Sequence, residues 1–210
     1  MRTPVRERTV VLDPDNAETP MDAQHARTGR SPGATLAEAV EDDSRLDGVV
    51  EYISPRADVF TGGPTRRHVL LGRWLGHALH PLLTDLPIGF WTSSWVLDVV
   101  PVAGGRRASQ RLIGLGLLSA VPTAVTGWAE WSQTSGQENR RVGVAHAAAN
   151  SAALGLYTAS WLARRRGRHG TGVLLGQLAV GAASAGGFLG AHLAIGRKVG
   201  TGTEDAKTGG

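Results

Sequence analysis

The chain has no cysteine. That excludes a disulfide, a thiolate nucleophile, cysteine-ligated iron–sulfur chemistry and c-type haem attachment. It also removes redox chemistry as a guide to the compartment. Familiar catalytic strings are missing too: there is no GxSxG elbow, no HExxH pair, no Walker phosphate loop and no dinucleotide fingerprint following a strand. The first residues lack the basic, apolar, small-residue order of a cleaved signal peptide, so membrane insertion would be directed by internal segments. Basic residues do not alternate with aromatics along a stripe, which argues against a nucleic-acid partner although the chain is basic overall.

The absence that matters most is local. Three stretches contain no Asp, Glu, Lys or Arg: Leu112–Ala129 with 18 residues, Val142–Ala163 with 22 and Gly170–Gly196 with 27. A bilayer core needs about 20 apolar residues in a helix. A weaker fourth stretch, Pro81–Ala103, is interrupted by Asp85 and Asp98. Arginines fill the loops between them, where they can meet anionic head groups. All six tryptophans fall after residue 65, and Trp128, Trp131 and Trp161 read as interface anchors.

Charge divides the chain in two. Residues 1–65 carry a net charge of −5 and residues 66–210 a net charge of +9. The first 35 residues are too polar to offset their ordering entropy, so disorder is expected. A short helix at Leu36–Val40, an extended piece at Val49–Ile53 and a linker at Thr61–Thr65 complete that half. The expected fold class is all-α: an integral membrane four-helix up-down bundle over 66–200, after a disordered acidic tail and linker over 1–65. A flexible tail at 201–210 closes the chain. Before the first span, Leu70, Leu71, Trp74, Leu75, Ala78 and Leu79 recur at helical spacing. They suit either a surface amphipathic helix or an extension of the first span. Gly172-x-x-x-Gly176 and Gly186-x-x-x-Gly190 predict close helix packing in the last span. The positive-charge rule leaves the orientation open, because both sets of loops are basic.

An up-down arrangement gathers polar residues at one end. His77, His80 and Asp85 start span one, Glu130 ends span two, His146 and Asn150 start span three, and His192 ends span four. Ionisable groups in spans are costly and face the interior, a cavity or a partner. Bundles build cofactor sites from such side chains on facing helices. One reading is therefore a haem b or metal centre held by His146 and His192, with His80 or His77 as further ligand. Gly186, Gly187 and Gly190 would leave room for the macrocycle, and electrons would pass to or from a quinone or a redox partner protein. The other reading is a polar cluster in a non-redox membrane module that binds a small solute or organises partner proteins. Catalysis on a lipid-soluble substrate ranks last, for want of a nucleophile. Asp98 stands near the far interface, where solvation is expected, and His25, His68 and His169 look incidental.

Four strings carry a family resemblance: GRWLGHALHPLLTDLPIGFW (72–91), PTAVTG (122–127), RVGVAHAAAN (141–150) and GAHL (190–193). Together they resemble the bacterial membrane family called domain of unknown function 2231, over roughly residues 70–200. The resemblance implies a multi-pass protein of the bacterial inner (plasma) membrane, typically of four spans, without an established activity. Fusion of some relatives to Rieske or cytochrome-like modules leans toward electron transfer by association alone. Glu130 stands where the resemblance leads one to expect an aspartate.

Overall fold

The computed structural model of the chain describes residues 32–100 and 102–199. Of the disorder expected over the first 35 residues, 1–31 lie outside the described residues, as does the expected flexible tail at 201–210, whereas residues 32–35 are helical, the start of a helix that continues to Glu41. Among the described residues the fold is all helix, without a strand. The helices are α1 Pro32–Glu41, α2 Asp47–Phe60, α3 Pro64–Leu70, α4 Leu79–Val99, α5 Gly105–Ser132, α6 Gln137–Arg165 and α7 His169–Ala191. Short 3₁₀ turns at Ser44–Leu46 and Arg73–Leu75 and a wide π turn at His192–Gly196 complete the set.

Of the four long helices, α5 and α6 contain Leu112–Ala129 and Val142–Ala163 whole and run past them into polar flanks, while α4 and α7 take up most of Pro81–Ala103 and Gly170–Gly196. Connections of only three to five residues reverse the chain each time, so neighbours in sequence pack antiparallel. Each long helix packs on its chain neighbours, and α4 also meets α7, closing a ring. In the middle of the ring Trp91 stacks on Tyr157, with ring centroids 4.3 Å apart and planes 17° apart. Ile113 and Ala179 complete that core. Two of the helical segments, Gly105–Ser132 and His169–Gly196, are long and apolar enough to cross a membrane.

The join into α4 differs from both sequence expectations. Helix stops at Leu70 and restarts at Leu79, and Gly72 and Gly76 between them adopt left-handed backbone (φ 68° and 74°). A side chain is strained there, and a Cβ on Gly72 would run into the His77 carbonyl. The apolar spacing over 70–79 is therefore split by a tight turn.

The segment before α3 also departs from the expected linker. The short helix expected at Leu36–Val40 lies within α1, but Val49–Ile53 is helical, inside α2. Val50, Ala57 and Thr61 are fully buried, because α2 packs against α5 and α6. Polar contacts hold it there. Arg141 grips the Asp47 carboxylate with Nε at 2.6 Å and Nη2 at 2.8 Å, and Nη1 donates to the Glu41 carbonyl at 2.7 Å. Arg140 reaches Ser54 Oγ at 2.9 Å. The Arg141 guanidinium and Gln137 together hold the Asp47 carboxyl down at about 2.

Candidate functional site

The ends of the long helices build two polar centres. At the first, His80 opens α4 and its Nδ1 donates to the Thr123 carbonyl of α5 at 2.9 Å. His146 lies in the first half of α6 and its Nδ1 donates to the Gly186 carbonyl of α7 at 2.8 Å. A carbonyl oxygen only accepts. In its neutral form each imidazole therefore carries its proton on Nδ1 and keeps a lone pair on Nε2. The two rings meet edge to face, with centroids 6.3 Å apart and planes at 87°. Glycines seat them: a Cβ on Gly127 would stand 2.8 Å from the His80 ring, and one on Gly190 2.8 Å from the His146 ring.

Asn150, one turn after His146, donates to the His146 carbonyl at 2.9 Å, and its Nδ2 lies 3.3 Å from Nε2 of that ring. Glu130, near the end of α5, turns its carboxyl toward the backbone N–H of His80. Its Oε1 is buried without a hydrogen-bond partner. His80, His146, Asn150 and Glu130 thus share one end of the ring, half-buried.

The other expected members stand elsewhere. His77 is exposed in the turn before α4, and Asp85 is exposed on the outside of α4. Five residues separate Asp85 from His80, which puts it on the far side of a helix of 3.6 residues per turn. His192 does not face His146. Its Nε2 bonds to Glu41 Oε1 at 2.7 Å, and Arg197 lies 3.3 Å from the same oxygen. The space expected beside Gly186 and Gly190 is filled, by the Asn150 amide and the His146 ring. A macrocycle held between His146 and His192 does not fit these residues. Among the described residues, no group of three or more His, Cys, Asp or Glu is placed to hold a metal ion.

The second centre, at the opposite end, was not foreseen. Asp98 at the end of α4 is paired with Arg164 at the end of α6, and their side chains are 4% and 1% exposed. Arg164 Nη1 donates to Asp98 Oδ1 at 2.8 Å and Nη2 to Oδ2 at 2.5 Å. Ser109 of α5 donates to Asp98 at 2.8 Å and accepts from Arg164 at 3.0 Å. Ser94 bonds to Ser109 at 2.9 Å, and Ser160 accepts from Arg164 Nε at 3.2 Å. Gly172 seats this arginine, since a Cβ there would run into Arg164 Cγ, and a Cβ on Gly176 would lie in ordinary contact with Nη2 at 3.4 Å. Asp98 is therefore buried and fully paired, not solvated. The usable signal was Ser94/Asp98 and Ser160/Arg164, each pair four apart on one helix face.

Residues 76–203 match a family model described as a predicted membrane protein, DUF2231. The chain belongs to this family. The match takes in both polar centres and all four long helices, while α1, α2 and α3 precede it. Glu41, the partner of His192, thus comes from outside the family domain. No curated protein and no solved structure matches the chain.

Proposed function

We propose that α4 to α7 are four antiparallel membrane spans, in the inner membrane, and that His80 and His146 form a two-nitrogen ligand site for a transition-metal centre inside them. The support for the spans is an inside-out distribution of polarity. Leu82, Leu118, Val121, Leu174 and Leu178 are more than half exposed on the outer faces of the ring, while an aspartate, an arginine and three serines are paired within it. Water would penalise the first set and lipid the second.

The observation that carries the ligand reading is the pair of Nδ1–carbonyl hydrogen bonds. Metal-ligating histidines use such bonds to fix tautomer and ring direction. Here they leave a lone pair on each Nε2, that of His146 within 3.3 Å of the Asn150 amide, on rings 6.3 Å apart. A metal bound between two imidazole nitrogens at about 2.0 Å each separates the ring centroids by roughly 6 Å. When bound, such a centre supplies one-electron chemistry, passed to a quinone or a partner protein. Thr123 and Gly186 hold the imidazoles in the ligating tautomer, Asn150 braces the His146 ring, and the apolar faces exclude water. Glu130 offers a buried oxygen to a proton.

The test is an absorption spectrum of the detergent-purified protein, oxidised and reduced, with metal analysis of the same sample. Stoichiometric metal is expected, lost in His80→Ala and in His146→Ala but retained in His77→Ala and His192→Ala. A featureless spectrum without stoichiometric metal, after expression with iron, copper and haem supplied, overturns the ligand site. The second reading would then stand, a module whose cluster holds a small solute or a proton, favoured by the unpartnered Glu130 Oε1.

A further inference from the structure

A separate basic pocket lies ahead of α4. Gly62, Gly63, Pro64, Arg67, His68 and Arg73 line an open depression of about 630 Å³. From Thr61 to Thr84 the chain carries Arg66, Arg67 and Arg73 and no Asp or Glu. Two features hold the pocket in shape. Arg67, which lines the pocket, is anchored by its Nε, which donates to the Thr61 carbonyl at 3.1 Å. Gly72 and Gly76 fix the tight turn that carries Arg73, and a Cβ on Gly72 would not be accommodated. Apolar side chains border the basic ones: Trp74 is 58% exposed, with its Nε1 tied to the Val69 carbonyl at 3.3 Å, and Val69 and Leu75 are exposed as well.

We infer that this pocket binds the phosphate of an anionic phospholipid at the mouth of the first span. The inference rests on the membrane reading above. Two guanidinium groups supply donors shaped for phosphate oxygens. The adjoining indole and aliphatic surface suits the glycerol and acyl boundary of a lipid, where amphipathic aromatic side chains settle. Free phosphate would satisfy the arginines and leave the apolar rim uncovered. Juxtamembrane arginines gain roughly fivefold in affinity each from an anionic surface.

The experiment uses the full chain. It is first reconstituted into phosphatidylcholine vesicles and floated. Native mass spectrometry of the detergent-solubilised protein then counts retained phosphatidylglycerol and phosphatidylcholine, with inorganic phosphate as competitor. Phosphatidylglycerol should be retained preferentially, with a loss on the order of 30-fold in Arg67→Gln/Arg73→Gln. Arg73→Gln alone should lose about fivefold, and it guards against misfolding caused by freeing Thr61. Equal retention of both lipids, equal loss in Arg106→Gln/Arg107→Gln at the opposite end, or displacement by millimolar phosphate overturns the headgroup site. Failure to float with vesicles overturns the membrane reading itself, whereas flotation without lipid preference overturns only this inference.

Discussion

Replacing Asp98 with alanine gives the sharpest test of the interior. Arg164 is 1% exposed, and its guanidinium spends Nη1 and Nη2 on the two carboxylate oxygens. After Asp98→Ala, Nη2 has no acceptor from this network and Nη1 keeps only Ser109 Oγ. A charge stripped of its partner in a low-dielectric interior costs about 3–5 kcal/mol, or roughly two to four decades in the folding equilibrium. Ser109 also loses the oxygen it donates to. The double substitution Asp98→Leu/Arg164→Met removes both charges and leaves apolar volume to repack beside Ser94 and Ser109, whose hydroxyls still bond each other. It should therefore be less damaging than the single one, although two residues have changed. The assay is reversible unfolding of the detergent-solubilised protein, followed by tryptophan fluorescence, with all variants at one detergent concentration. A single-variant cost below about 1 kcal/mol, the level of a solvated surface pair, would refute the buried pairing.

Other outcomes follow from the same contacts. Asp47 titrates at about 2 when docked and near 4 when free, so the Arg141 contact adds stability above about pH 4 that is lost as the pH falls toward 2. Amide exchange in α2 should accelerate over that window before the long helices respond, and simultaneous loss of both would refute the docking scheme. Gly116→Ala would drive a Cβ into the Trp91 indole, displacing it from Tyr157, at about 1–3 kcal/mol. The check is a weakened aromatic circular dichroism signal alongside a lowered melting temperature. Gly190→Ala would push the His146 ring off its seat and should lower metal content without lowering expression, whereas Gly187→Ala, where a Cβ meets nothing within 4 Å, should leave both unchanged.

The long helices were legible because charge exclusion over 18 to 27 residues leaves few alternatives, and each apolar stretch lies inside one helical segment, the last running on through the π turn. Their ends were less so, since helix runs on into the arginine-bearing flanks. Val49–Ile53 was misread for an identifiable reason. Val, Tyr and Ile favour strands when they cover a pleated, half-buried surface, but here burial at Val50 and Ala57 follows a helical period against α5 and α6. The docking also depends on partners about 90 residues away, such as Arg141, which local pattern cannot reveal.

The polar centres show what topology conveys and what it withholds. Reversal of the chain at each short loop is enough to bring His80, Glu130, His146 and Asn150 to one end. It says nothing of rotation about a helix axis, so Asp85 was placed inside when it faces out, and it could not foresee that Glu41 would take His192. The same reversal brings the ends of α4 and α6 together, and so Asp98 to Arg164. The expectation of solvation came from position near an interface alone. Register argues otherwise: Ser94 and Ser160 lie one turn inside the two charges, on the same helix faces, and both belong to the network. A charged residue near the end of an apolar stretch is better read with its i−4 neighbour. When that neighbour is a hydroxyl, and the next parallel helix ends in the opposite charge with the same companion, a pair buried between the helices satisfies all four groups, whereas solvation leaves the two hydroxyls facing lipid.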